Sequence, residues 1–104
     1  MNKFHHWGIP STRQRPGETY LADARLYVTD PQKDPYGIEW LRFLPDSPMP
    51  EVLKKTSHVA FEVQDMDAAL AGRQVLIAPF HPMPGVTVAF VLHEGTPVEL
   101  LKVG

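Results

Sequence analysis

The sequence predicts an α+β fold in which two β-rich units of one plan form a single domain, and three observations carry that reading. Eleven prolines, about twice the usual ~5%, fall at the joints between alternating apolar patterns and leave residues 51–78 without one. A helical stripe occurs convincingly once, in MDAALAG, whereas strand-like alternation recurs along the rest. Both halves also open with a His on a strand pattern and finish with a Glu on one.

The elements follow in order. Lys3 to Ile9 reads as a first strand, and Pro10 and Pro16 bracket STRQRPGE as an irregular polar loop. Tyr20 to Thr29, YLADARLYVT, alternates well enough for one strand, and Asp30, Pro31, Asp34, Pro35 and Gly37 supply the turn into a strand over Ile38 to Leu44. Pro45 to Pro50 is a linker, and EVLKK offers a single helical turn. Ser57 to Val63 is the best strand in the chain. Asp65 then serves as N-cap for the short helix, which ends at Gly72. Val75 to Ile77, Val86 to Leu92 and Pro97 to Val103 complete the strands, with HPMPG and HEGT as turns, so that His81 and His93 are expected at the surface. The order is therefore β, loop, β, β and then β, α, β, β, β.

Composition excludes several classes. With 104 residues a second core would leave about 50 residues for each, which is marginal. No Cys means no disulfide framework and no Cys-ligated zinc or iron–sulfur site. A net charge of −2 with scattered Lys and Arg argues against nucleic acid as a partner. The start MNKFHHWG lacks an apolar signal region, and the longest apolar run, Val88 to Leu92, is far shorter than a membrane span, so a cytoplasmic protein without a membrane partner is expected.

The two halves superimpose as sequence. HWGI at His6 faces HVAF at His58, and Gly37-Ile-Glu-Trp-Leu-Arg faces Pro97-Val-Glu-Leu-Leu-Lys. The interval is 33 residues from His6 to Glu39 and 41 from His58 to Glu99, and the missing eight fall where the second half has its helix and the first has STRQRPGE. His6, Glu39, His58 and Glu99 are set among apolar neighbours, where an ionised carboxylate is costly unless paired. Two imidazoles and two carboxylates brought together by a pseudo-twofold axis suit a divalent first-row ion (Zn, Ni, Co, Mn or Fe) with water in the remaining positions. His5 competes with His6, but only the His6 register sets Gly8 against Ala60 and Ile9 against Phe61.

HWGI, HVAFEVQDMDAALAG, GIEWL and VAFVLHEGTPVELLKV together resemble the vicinal oxygen chelate superfamily, which includes glyoxalase I, methylmalonyl-CoA epimerase, extradiol dioxygenases and bleomycin-resistance proteins. The resemblance covers nearly the whole chain. It implies paired βαβββ modules of glyoxalase-like type, here over 1–104, with module 1 at about 1–45 and without its helix, a linker at 46–56 and module 2 at about 57–104. It also implies that His6, Glu39, His58 and Glu99 are the metal ligands, the His/Glu/His/Glu set associated with glyoxalase I. The chain is short for the family and carries no clear counterpart of the glutathione-binding residues.

The expected function is that of a divalent-metal-dependent, glyoxalase-like isomerase, epimerase or lyase acting on a small α-hydroxy carbonyl or related substrate. The ion would act as a Lewis acid on two neighbouring substrate oxygens and stabilise an enediolate formed by proton removal next to a carbonyl. Glu99 or Glu39 would be the base, with Glu99 preferred. Two alternatives differ in kind: an extradiol-type Fe(II) dioxygenase using His6, His58 and one Glu, and a metal-free small-molecule binding protein of the bleomycin-resistance type. Tyr20, Tyr27, Trp40, Arg42 and Phe80 are the candidates for the substrate pocket, with Arg42 suited to a substrate carboxylate or phosphate. No further cofactor is expected. The sheet face around Tyr27 and Trp40 has no helix to cover it, which predicts a homodimer.

Overall fold

A computed structural model describes residues 2–104. Among these are eight strands: β1 (Lys3–Pro10), β2 (Thr19–Leu21), β3 (Leu26–Val28), β4 (Ile38–Phe43), β5 (His58–Glu62), β6 (Gln74–Met83), β7 (Val86–His93) and β8 (Thr96–Val103). Two five-residue helices, α1 (Glu51–Lys55) and α2 (Met66–Leu70), and a 3-10 turn at Pro31–Lys33 accompany them. The chain is thus α+β in kind and mostly mixed sheet. No helix among the described residues is long and apolar enough to cross a membrane. The chain divides into two compact units, His6–Ser57 and a second in which the residues up to His5 join His58–Gly104.

In the unit His6–Ser57 the strand order is β2-β3-β4-β1. The pairs β2/β3 and β3/β4 are antiparallel, and β4 returns parallel to β1. The stretch Tyr20 to Thr29, expected as one strand, is a hairpin. Arg25 takes a left-handed φ of 48° and its N–H donates to the Ala22 carbonyl, so the chain reverses within Ala22-Asp23-Ala24-Arg25 and pairs Leu21 with Leu26. Asp and Ala favour strands poorly, and period-2 alternation by itself does not report a reversal. Asp34 Oδ1 accepts from the N–H groups of Tyr36 (2.8 Å) and Ile38 (3.1 Å) and so fixes the turn that starts β4. EVLKK forms the expected helical turn, α1, with Leu53 buried beneath it.

In the second unit the order is β5-β8-β7-β6, with β8 parallel to β5 and the remaining pairs antiparallel. Asp65 caps α2 by accepting from the Ala68 N–H at 3.1 Å. The helix lays Met66, Ala69 and Leu70 over a core of Val63, Ala89, Val91, Val98 and Leu100. Glu94 and Gly95, with φ of 51° and 79°, join β7 to β8 in a two-residue turn of the type whose twist suits a hairpin. The strand expected over Val75 to Ile77 continues to Met83, through most of HPMPG. It is the outer strand of this unit's order and its register against β7 shifts three times, which accommodates Pro79 and Pro82.

Candidate functional site

The same short register recurs in both units. In the unit His6–Ser57, β1 and β4 run parallel with Gly8 opposite Glu39, and His6 lies two residues before Gly8. In the other unit, β5 and β8 run parallel with Ala60 opposite Glu99, and His58 lies two residues before Ala60. Side chains two residues apart share a face, so each His and its Glu project from the same side of their strand pair. Between them stands a residue with no Cβ or a single methyl, over which the carboxylate reaches the ring. Gly8 and Ala60 are both buried, Ala60 with no exposed surface.

The pairs form accordingly. His6 Nε2 lies 3.4 Å from Glu39 Oε1. His58 Nε2 lies 2.9 Å from Glu99 Oε1, within hydrogen-bond distance. Four polar side chains are buried among the described residues, His6 (2% exposed), Ser47, His58 (3%) and Glu99. Ser47 is satisfied locally, since its hydroxyl donates to the Ala24 carbonyl and accepts from the Met49 N–H. Glu39 is the more open of the two carboxylates, its side chain 19% exposed against 9% for Glu99.

In each unit the His and the Glu offer one ligand atom apiece that a metal ion could take. The distances within each pair fit that role. Ligands about 2.1 Å from a common ion lie ~3.0 Å apart at a right angle and ~3.4 Å apart at the tetrahedral angle. The observed separations, 2.9 and 3.4 Å, are in this range. Imidazole nitrogen with carboxylate oxygen is also a donor set that first-row divalent ions accept.

Phe90 was not foreseen as part of this surroundings. It lies opposite Glu99 in the β7/β8 register and meets the His58 ring edge-on, with centroids 5.1 Å apart. The signal was present in HEGT, because a two-residue turn at Glu94-Gly95 pairs His93 with Thr96 and hence Phe90 with Glu99.

Of the five pocket candidates, Phe80 shares the face of its unit's His and Glu. It pairs with Val88, which faces Leu101, two residues along from Glu99, although it stands two strands away from β8. The other four point to the opposite face of their unit. Trp40 and Arg42 alternate with Glu39 along β4, Tyr27 lies opposite Arg42, and Tyr20 lies opposite Tyr27. There Trp40 and Arg42 bind the loop at 11–18. The Arg15 guanidinium sits 3.9 Å from the Trp40 ring centre, and that of Arg42 sits 4.2 Å from the Tyr27 ring centre. Tyr27 in turn packs on Tyr20 at 4.7 Å. Arg42 donates through Nε (3.0 Å) and a terminal nitrogen (2.7 Å) to the two oxygens of Glu18, so its fork is already occupied by a carboxylate of this chain. The Arg42 guanidinium holds the Glu18 carboxyl below its ordinary value near 4.5, against the desolvation that would raise it. The face around Tyr27 and Trp40 thus carries Arg15, Arg42 and Glu18 of the same chain.

His5, on β1 next to His6, alternates to the other side of that strand. His81 and His93 are exposed as expected, but both belong to strands, and His81 Nδ1 lies 3.2 Å from the Val86 carbonyl and 3.3 Å from the Thr87 hydroxyl.

No family model matches the chain, and no curated protein matches it. Among solved structures it is similar to the hypothetical protein BH1468 from Bacillus halodurans C-125, with 20% sequence identity and a TM-score of 0.73 over 99% of this chain and 95% of that one. At this identity the likeness establishes a shared fold.

Proposed function

We propose that the chain is a divalent-metal-dependent isomerase, epimerase or lyase of the vicinal oxygen chelate type, built from paired βαβββ-like modules and acting on a small α-hydroxy carbonyl compound. His6, Glu39, His58 and Glu99 together hold one ion in this reading. The observation that carries it is the repeated arrangement of a buried His, a small residue two positions on and a Glu opposite that residue, with ligand atoms 3.4 and 2.9 Å apart in the two pairs. Two independent accidents of burial would not reproduce the same register, and an unpaired carboxylate in such a setting is costly.

When bound, the ion supplies Lewis acidity toward adjacent substrate oxygens. The chain's own residues do the rest. Glu39, more open than Glu99 and further from its His, takes the proton from the carbon next to the substrate carbonyl. The C–H electron pair moves into the new carbon–carbon double bond as charge builds on the carbonyl oxygen. Return of the proton to the former carbonyl carbon, with the hydroxyl proton passing to the other oxygen, completes an isomerisation, and return to the opposite side of the same carbon completes an epimerisation. Glu99, with His58 and its Phe90 contact, stays in place as a ligand.

The looser His6–Glu39 pair also supports a second reading, in which His6, His58 and Glu99 are the two-His-one-carboxylate set of an Fe(II) oxygenase.

One experiment separates these. The protein is purified without metal, reconstituted with Zn, Ni, Co, Mn or Fe(II), analysed for bound metal, and incubated in D2O with a panel of α-hydroxy carbonyl compounds, thioesters and catechols. The expected result is stoichiometric metal and deuterium entry next to a carbonyl. Glu39→Gln should keep the metal and lose about 10²-fold or more in exchange, while Glu99→Gln loses the metal. Oxygen uptake with iron alone favours the oxygenase. No metal uptake with any ion overturns both readings in favour of a metal-free binding protein.

A further inference from the structure

A groove of about 720 Å³ lies within the unit His6–Ser57, lined by Pro10, Leu41, Phe43, Ser11, Lys54 and Lys55 among others. Its volume is that of an ordinary small-molecule site. Its floor continues the face that bears His6 and Glu39. Leu41 and Phe43 are two and four residues beyond Glu39 on β4, and Pro10, opposite Leu41, is four beyond His6 on β1. At the usual strand rise, Phe43 is ~13 Å from Glu39. The far wall is α1. Lys54 Nζ donates to the Ser47 carbonyl (2.7 Å) and lies 3.3 Å from Glu51, and the exposed Lys55 Nζ lies 3.7 Å from the same carboxylate. Two ammonium groups therefore face one carboxylate, a local positive excess on a chain whose net charge is −2.

We propose that this groove is a binding site for an organic anion with an apolar chain. Its hydrocarbon lies on Pro10, Leu41 and Phe43, and its carboxylate meets the Lys55 ammonium. Placing the reacting carbonyl at the His6–Glu39 end rests on the proposed function, and it makes the substrate a compound with an apolar body and a second, distal anionic group. The site in the groove stands without that step.

The test uses the full-length, metal-free chain with octanoate, 1-octanol and butyrate as probes, followed by amide chemical shifts and calorimetry. Octanoate is expected to shift the amides of Ser11, Thr12, Leu44 and Lys55 and to bind more tightly than octanol or butyrate. Lys55→Glu, a change at an exposed position, should weaken octanoate about tenfold and leave octanol unchanged, while Lys55→Arg retains octanoate binding. Equal binding of octanoate and octanol, indifference to Lys55→Glu, or shifts elsewhere in the chain overturns the proposal. Because the readout is taken without metal, absence of metal uptake would defeat the proposed function and leave this site standing, and failure here would leave the metal reading untouched.

Discussion

Ala60 and Gly8 stand where a carboxylate meets a buried imidazole in each unit, so a larger side chain at either place would crowd the path from Glu to His. Replacing Ala60 by Leu should cost about 1–3 kcal/mol through overpacking and abolish metal uptake, whereas Ala60→Gly, which copies the first unit, should cost only ~0.5–1 kcal/mol and keep it. Urea unfolding and metal titration of the two variants check this. The four proposed ligands were legible as sequence because charged and polar residues break apolar patterns twice in the same way. The pocket residues were less so. Trp40 and Arg42 alternate with Glu39, a parity that already sets them on the other face, while Tyr20 and Tyr27 required the hairpin at Ala22–Arg25 to be known.

The two units solve one covering problem by different elements. In the second, α2 covers Leu100, the residue after Glu99. In the first, the loop at 11–18 covers Trp40, the residue after Glu39, with Arg15 on the ring and Glu18 on Arg42. The sequence marked residues 11–18 as an irregular polar loop, which they are, but held no pattern that reports cation–π stacking across a loop, because such contacts depend on three-dimensional approach rather than period. The helix should depend on its cap: Asp65→Ala is expected to lower stability by about 1 kcal/mol, read by urea unfolding. The loop should depend on pH. The Glu18 carboxyl is held below its unfolded-state value, so the stabilisation it contributes is present above about pH 4.5 and is lost as pH falls through the lowered folded-state value. Glu18→Gln should therefore destabilise the protein at pH 7, and its unfolding midpoint should converge on that of the unsubstituted chain in acid.

At the scale of the molecule, strand content and the α+β class were legible from proline placement and alternation, since both follow from local backbone rules. The extension of β6 through Pro79 and Pro82 was not, because proline is tolerated in a strand only where bulges and an outer position release the need for its N–H, and those are properties of the assembled sheet. The central claim, the proposed metal centre, is tested most directly by X-ray absorption on the cobalt- or zinc-loaded protein together with its metal content. One ion per chain with two imidazole nitrogens at about 2.0–2.1 Å is the predicted result. A single imidazole per ion, or two ions per chain, would contradict it.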